Sequence, residues 1–167
     1  MSEMPSPLSE EAQLAHDVLR DILRHMAFPA AVEVTEDAEQ IVLTMTSEQS
    51  MGVLIGKGGQ TLNAIELLVR TIAQTRLHTL DKHIVVDAEG YRERHAEQLR
   101  EIARQAAQQV LDTEEPVPLE PMTPRDRRTV HMAIAEIDGV VSASAGVEPY
   151  RHVLVCLPGQ YKESDEG

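Results

Sequence analysis

Two short stretches of this sequence carry residue types that could hold an anion. The first, VLIGKGGQ (53–60), sets Ile55, Gly56, Lys57, Gly58 and Gly59 just before a run of helically spaced hydrophobics. Clustered glycines lose conformational entropy on folding unless the backbone needs unusual dihedrals or something must approach it closely. A helix N-terminus offers unpaired N–H groups and positive potential, which suit a phosphate. Spacing excludes two common phosphate motifs. Gly52 and Lys57 do not fit a P-loop, and Lys57-Gly58 is not followed by the required Ser or Thr. Gly56 and Gly58 begin a dinucleotide fingerprint, but position 61 is Thr. The second stretch is TPRDRRTVHMAIAEI (123–137), where Arg127 and His131 stand four apart beside Arg125 and Arg128. Residues i and i+4 share a helix face. Arg presents a planar fork to phosphate oxygens, and His adds a donor and a flat ring. An exposed Arg beside a core or capping His is the structural alternative.

Chemistry of other kinds finds little support. No pair of carboxylates, Cys–His pair or metal-ligand spacing stands out. His78, Asp81 and His83 cluster at a strand entrance, where a solvated turn is the simpler reading. Cys156, the single cysteine, excludes an intramolecular disulfide and reads as a buried strand residue. The residues therefore point to no enzyme, no metal, no cofactor and no small-molecule substrate.

The surrounding pattern supplies the elements that must position these residues. Residues 9–27 form a helix, with Ser9 as cap and Ala15, Leu19, Ile22, Leu23 and Met26 as its apolar stripe. AVEVTE and QIVLTMT flank the acidic turn EDAE as a strand hairpin. SEQSMGVLI reads as a short helix capped by Ser47. After the glycine loop, Leu62, Ile65, Leu68, Val69 and Ile72 mark a helix to about Arg76. HIVVDA (83–88) is a strand. A second unit opens with a helix over 90–111, with Leu99, Ile102, Ala103, Ala106 and Val110 on its core face. VPLEP is a short extended piece. Thr123-Pro124 starts another helix by N-cap and first-position proline, and Gly139 stops it. VVSASAG and RHVLVCLP close the unit as a strand pair. The expected class is α/β (α+β), in two domains, 9–89 and 90–160, with a disordered acidic tail over 161–167.

The 167 residues carry a net charge of −13, unevenly spread. Residues 1–50 hold ten acids and two bases; residues 51–112 hold eight of each; residues 113–167 hold ten acids and five bases. That balance argues against strong nonspecific nucleic-acid binding. The bases nevertheless gather at Lys57 and at Arg125, Arg127 and Arg128, and binding responds to the local field. The first residues lack a signal peptide's basic start and apolar core, and no apolar run reaches the ~18–20 residues of a membrane span, so a cytoplasmic protein without a membrane span is expected.

I-G-x-x-G between two short helices, within an α-β-β-α-α-β order, resembles the KH clamp, whose loop holds the backbone of about four nucleotides. PMTPRDRRTVHMAIAEI followed by VSASAGVEPYRHVLVCLP resembles the R-three-H domain, a single-stranded nucleic-acid-binding module named for Arg-x-x-x-His. The order of the two, joined through YRERHAEQLREIARQAAQQV, resembles the bacterial Jag family (SpoIIIJ-associated protein, or KhpB) over residues 9–160. Carried over by that resemblance, Ile55, Gly56, Lys57, Gly58 and Gly59 form the KH loop. Arg127 and His131 are the signature pair, with Arg128 beside them, and Arg151 is a basic position on the last strand. The family's usual Ser-Glu-Gly in the hairpin reads Ser144-Ala145-Gly146 here. The resemblance implies single-stranded RNA as ligand and post-transcriptional control linked to envelope growth or division. It also implies pairing with a small single-KH protein or self-association. A protein–protein adaptor with little RNA affinity is the alternative, favoured by the acidic first fifty residues.

Overall fold

A computed structural model describes residues 8–160. The chain divides between Arg92 and Glu93 into two compact units, each with its own core. The expected tail over 161–167 lies outside the described residues.

The first unit opens with α1 (Glu10–His25). Ser9 caps it by accepting the Ala12 N–H, and Glu10 and Glu11 complement the positive end of its dipole. Strands β1 (Ala31–Glu36) and β2 (Gln40–Thr46) form an antiparallel hairpin. Its turn is fixed by Asp37, whose carboxylate accepts the Glu39 and Gln40 N–H groups at 2.8 Å. Strand β3 (His83–Ala88) joins β2 in parallel, so the sheet order is β1-β2-β3. Ile41, Leu43 and Met45 of β2 and Ile84, Val86 and Ala88 of β3 alternate inward and are fully buried. They meet Leu19 of α1 and Leu62, Ile65 and Val69 of α3 (Gln60–Leu77). Each such aliphatic side chain contributes about 1.5–3 kcal/mol by leaving water, enough for a core almost without aromatics.

Between sheet and α3 lies α2, a single turn over Gly52–Ile55. The expected helix from Ser47 is shorter than the sequence suggests. Met51 is the N-cap, while the Ser47 hydroxyl donates to the Pro29 carbonyl at 2.6 Å and accepts the Gln49 N–H. A serine that can close a local turn competes with the helix for the backbone. Three stripe residues also depart from expectation. Leu68 and Ile102 have helical core spacing but are 49% and 44% exposed, because both helices are packed on one side only, and Met26, the C-cap of α1, is 40% exposed.

Arg92 fastens the end of this unit. Its Nε donates to the Val86 carbonyl at 2.7 Å, one guanidinium nitrogen reaches Glu66 at 2.7 Å, and the other reaches Asn63 at 2.9 Å. Glu66 in turn accepts the Val86 N–H at 3.0 Å.

In the second unit, α4 (Tyr91–Thr113) lays Leu99, Ala103, Ala106, Ala107 and Val110 against Val130 and Ile134 of α5 (Pro124–Ala135). Thr123 caps α5 by accepting the Asp126 N–H, with proline in the first turn. A three-stranded sheet, ordered β4-β6-β5, completes the unit from β4 (Val117–Pro118), β5 (Val141–Ala145) and β6 (His152–Cys156). Cys156 is fully buried on β6.

Candidate nucleic-acid interface

The glycine loop separates into two kinds of position. Gly56 has φ 72° and ψ −178°, a conformation open essentially only to glycine. A Cβ there would stand 2.3 Å from Thr61 Oγ1 and 2.9 Å from the Thr61 backbone nitrogen. Gly59 is left-handed at φ 78°, is buried, and a Cβ would lie 3.0 Å from the Tyr91 ring. These two glycines are required by packing inside the unit. Gly58 differs: it is exposed, and a Cβ would meet nothing within 4 Å. Glycine is expected from the sequence to keep Cβ atoms away from a ligand; at Gly56 and Gly59 contacts within the chain require it instead, and only Gly58 faces open space. Ile55 is half-buried at the end of α2, and Lys57 is exposed at the loop tip. Gly59 is the N-cap of α3, and no side chain caps that helix. Its 18 residues therefore direct an uncapped positive end toward the loop that carries Lys57.

On α5, Arg127 and His131 do share a face, and both are engaged. Arg127 is 8% exposed. Its NH1 donates to the Met122 carbonyl at 3.0 Å and to Glu148 Oε1 at 2.8 Å. Glu148, in the β5–β6 turn, thus holds an anionic oxygen on the guanidinium. His131 lies between two serines, Nδ1 2.7 Å from Ser142 Oγ and Nε2 2.9 Å from Ser144 Oγ. A neutral imidazole has one donor and one acceptor, so one serine accepts from it and the other donates to it. Arg128 is exposed on α5. Arg151 is exposed at the entrance to β6, and its carbonyl accepts the Met122 N–H at 3.2 Å. Met122 thereby links Arg127 and the Arg151 backbone.

Ser142 and Glu148 are not marked by any sequence motif, and Ser144 is marked only as part of the hairpin triplet, not as a partner of His131. The serines were findable, because residues two apart on a strand face one side and VSASA alternates Ser with Ala. Glu148 sits in a turn, where periodicity carries no signal. Among the described residues no group of three or more His, Cys, Asp or Glu could hold a metal ion, and no helix is long and apolar enough to cross a membrane.

Burial, and then the neighbouring Arg127 charge, push the His131 imidazole below its ordinary value of 6.5. The window in which His131 could gain charge toward a ligand moves to lower pH than an unperturbed histidine would give. The folded chain binds this proton less readily than the unfolded chain. The site's contribution to stability is therefore complete above pH 6.5 and declines as the pH falls toward the lowered value. Thermal melting of the parent and of His131→Gln across this range checks the sign. The parent's midpoint is expected to drop more on acidification than the variant's.

A family profile described as KhpA/KhpB, KH domain matches residues 16–86, and one described as the R-three-H domain matches residues 97–157. Among curated relatives, a Clostridium symbiosum protein named RNA-binding protein KhpB is 37% identical over 133 residues, covering 80% of this chain. The Bacillus subtilis protein of that name is 34% identical over 145 residues, covering 86% of this chain and 69% of its own length. The Lactiplantibacillus plantarum protein is 29% identical over 141 residues, covering 84% of this chain and 43% of its own. The chain spans 59% of the Clostridium symbiosum relative's length.

Proposed function

The chain belongs to the KhpB family of RNA-binding proteins, and from that premise we propose that it is a non-catalytic, cytoplasmic protein that binds single-stranded RNA through two modules. The observation that carries this reading is the open Lys57-Gly58 tip ahead of the uncapped end of α3. Phosphates drawn to that tip would meet a cation and the positive end of the α3 dipole, while bases lie free to contact the protein. The second module contributes Arg127, Arg128 and Arg151, with Ser142, His131 and Ser144 as a hydroxyl-rich neighbour. Two modules on one strand raise overall affinity through effective concentration, so neither needs to bind tightly alone. This accommodates the net acidity of the chain. A role in post-transcriptional control tied to envelope growth or division belongs to the same reading and rests on the family. RNA titration at several salt concentrations tests it. Binding through phosphates must weaken steeply with salt, and a flat dependence would favour the adaptor.

Glu148 makes the second module testable by gain as well as loss. The carboxylate must leave Arg127 before a phosphate can take its place. Because Glu148 is 56% exposed, the pair is worth only about 0.2–1 kcal/mol. Glu148→Gln is therefore expected to strengthen RNA binding about two- to fivefold. Arg127→Ala should weaken binding by about 1–3 kcal/mol, as for a lost charge-assisted hydrogen bond. It should also lower the melting temperature, since the Met122 carbonyl loses its donor. Isothermal titration of the two variants at one salt concentration decides between these outcomes and no effect. If both leave affinity unchanged, Arg127 holds the fold and not a phosphate.

One feature of the first unit favours a protein partner in addition to RNA. A groove of about 540 Å³ lies between α1 and α3, lined by Ile22, Met26, Ile65, Leu68 and Ile72. Pairing with a small single-KH protein, or self-association, is consistent with such an apolar surface. Sedimentation as a strict monomer, alone and mixed with a small KH protein, would argue against it.

A further inference from the structure

The sequence contains four aromatic residues of the Phe, Tyr and Trp kind: Phe28, Tyr91, Tyr150 and Tyr161. Phe28 and Tyr91 are half-buried against the first core, and Tyr161 lies outside the described residues. Tyr150 is different, with 72% of its surface exposed. Water tolerates an exposed tyrosine, but nothing in the fold requires one at this position. The ring is on a tight turn that its own N–H closes on the Val147 carbonyl at 2.8 Å. On the far side of the turn the Arg151 carbonyl is bound by the Met122 N–H at 3.2 Å, a contact that does not depend on the Glu148–Arg127 pair. The Tyr150 carbonyl lies 3.2 Å from His152 Nδ1. The backbone beneath the ring is therefore held, so a flat aromatic face is presented from a fixed base beside Arg151 and the Arg127 pair.

We infer that Tyr150 is a nucleobase platform: a base of single-stranded RNA stacks on its ring while the adjoining phosphate is held by the neighbouring arginines. The inference rests on the RNA-binding reading and extends it to a residue with no phosphate chemistry of its own. Single-stranded recognition combines cationic tracking of the backbone with stacking on aromatic side chains. Every base has a π-face, so such a platform adds affinity with little sequence preference. Arginines alone would leave the base in water. Val147, 70% exposed at the start of the same turn, extends the apolar surface at the hairpin tip.

The test compares the full chain with Tyr150→Ala and Tyr150→Phe on two probes. One is a short single-stranded RNA; the other is an abasic strand of equal length and charge. Tyr150→Ala is expected to bind the RNA about tenfold more weakly, in line with the stacking contribution of one base. Its salt slope, its melting temperature and its affinity for the abasic strand should match the parent's. Tyr150→Phe keeps the ring and should bind like the parent. Unchanged RNA affinity in Tyr150→Ala overturns the platform. So does an equal loss on both probes, which would mean that no base is involved, or a loss in Tyr150→Phe as large as in Tyr150→Ala. If the parent binds neither probe, the RNA-binding reading itself fails. If the parent binds RNA and Tyr150→Ala is indistinguishable from it, only the platform fails.

Discussion

Replacing both Lys57 and Gly58 with Asp is expected to lower RNA affinity on the order of a hundredfold while leaving the fold intact. The two changes remove one positive charge and add two negative charges at the loop tip. A charge-assisted hydrogen bond is worth about 1.5–3 kcal/mol, and here the loss is compounded by repulsion. The fold should survive because neither side chain meets resistance. Lys57 is exposed, and the space beyond Gly58 is open to 4 Å. Gly58 has φ 56° and ψ 28°, within the left-handed region where Asp is among the tolerated residues at about 1–2 kcal/mol. Circular dichroism and melting would show that the first unit persists. Binding equal to the parent at low salt, in a folded variant, would rule out the loop as a phosphate clamp.

Two residues earlier, a smaller change is expected to have the opposite character. Gly56→Val should destabilise the first unit by about 3 kcal/mol or more. Two costs add. The backbone at φ 72°, ψ −178° is strained for any residue with a Cβ. The new Cβ would also stand 2.3 Å from Thr61 Oγ1 and 2.9 Å from the Thr61 backbone nitrogen. Shortening Thr61 to Ala removes only the first of these contacts, so Thr61→Ala should not restore stability. Denaturant unfolding of the single and double variants measures this. A loss below about 1 kcal/mol in Gly56→Val would show that the loop can rearrange around a side chain. Any loss of RNA affinity in this variant would then be attributable to the rearranged loop.

The contrast between these neighbouring glycines shows what the sequence could and could not disclose. IGKGG told that the backbone was unusual there. It could not tell which glycine was held by Thr61 or Tyr91 and which stood open, because those contacts are tertiary. The strands were legible because their alternation is local: AVEVTE, QIVLTMT and HIVVDA are β1, β2 and β3 to the residue. The start of α5 was legible for a similar reason, since Thr-Pro is a local signal. The helix expected from Ser47 was not, because four residues of α2 leave little periodicity to read. Helical spacing also overstated the cores. Leu68 and Ile102 have the right phase, yet whether a stripe is covered depends on what packs beside it. At the second module the positions of Arg127 and His131 on one face followed from their spacing. Their partners did not. Glu148 is 21 residues from Arg127, and the serines are 11 and 13 residues from His131.

The fastening of Arg92 and Glu66 onto Val86 has a consequence for assembly. β3 is an edge of its sheet, and an edge strand exposes N–H and C=O groups on which a foreign strand can grow. At Val86 the outward N–H is already taken by Glu66 and the outward carbonyl by Arg92. An incoming strand would have to displace a paired carboxylate and guanidinium at the middle of the edge. The same ionic clasp that ends the unit therefore guards this side of the sheet against runaway polymerisation.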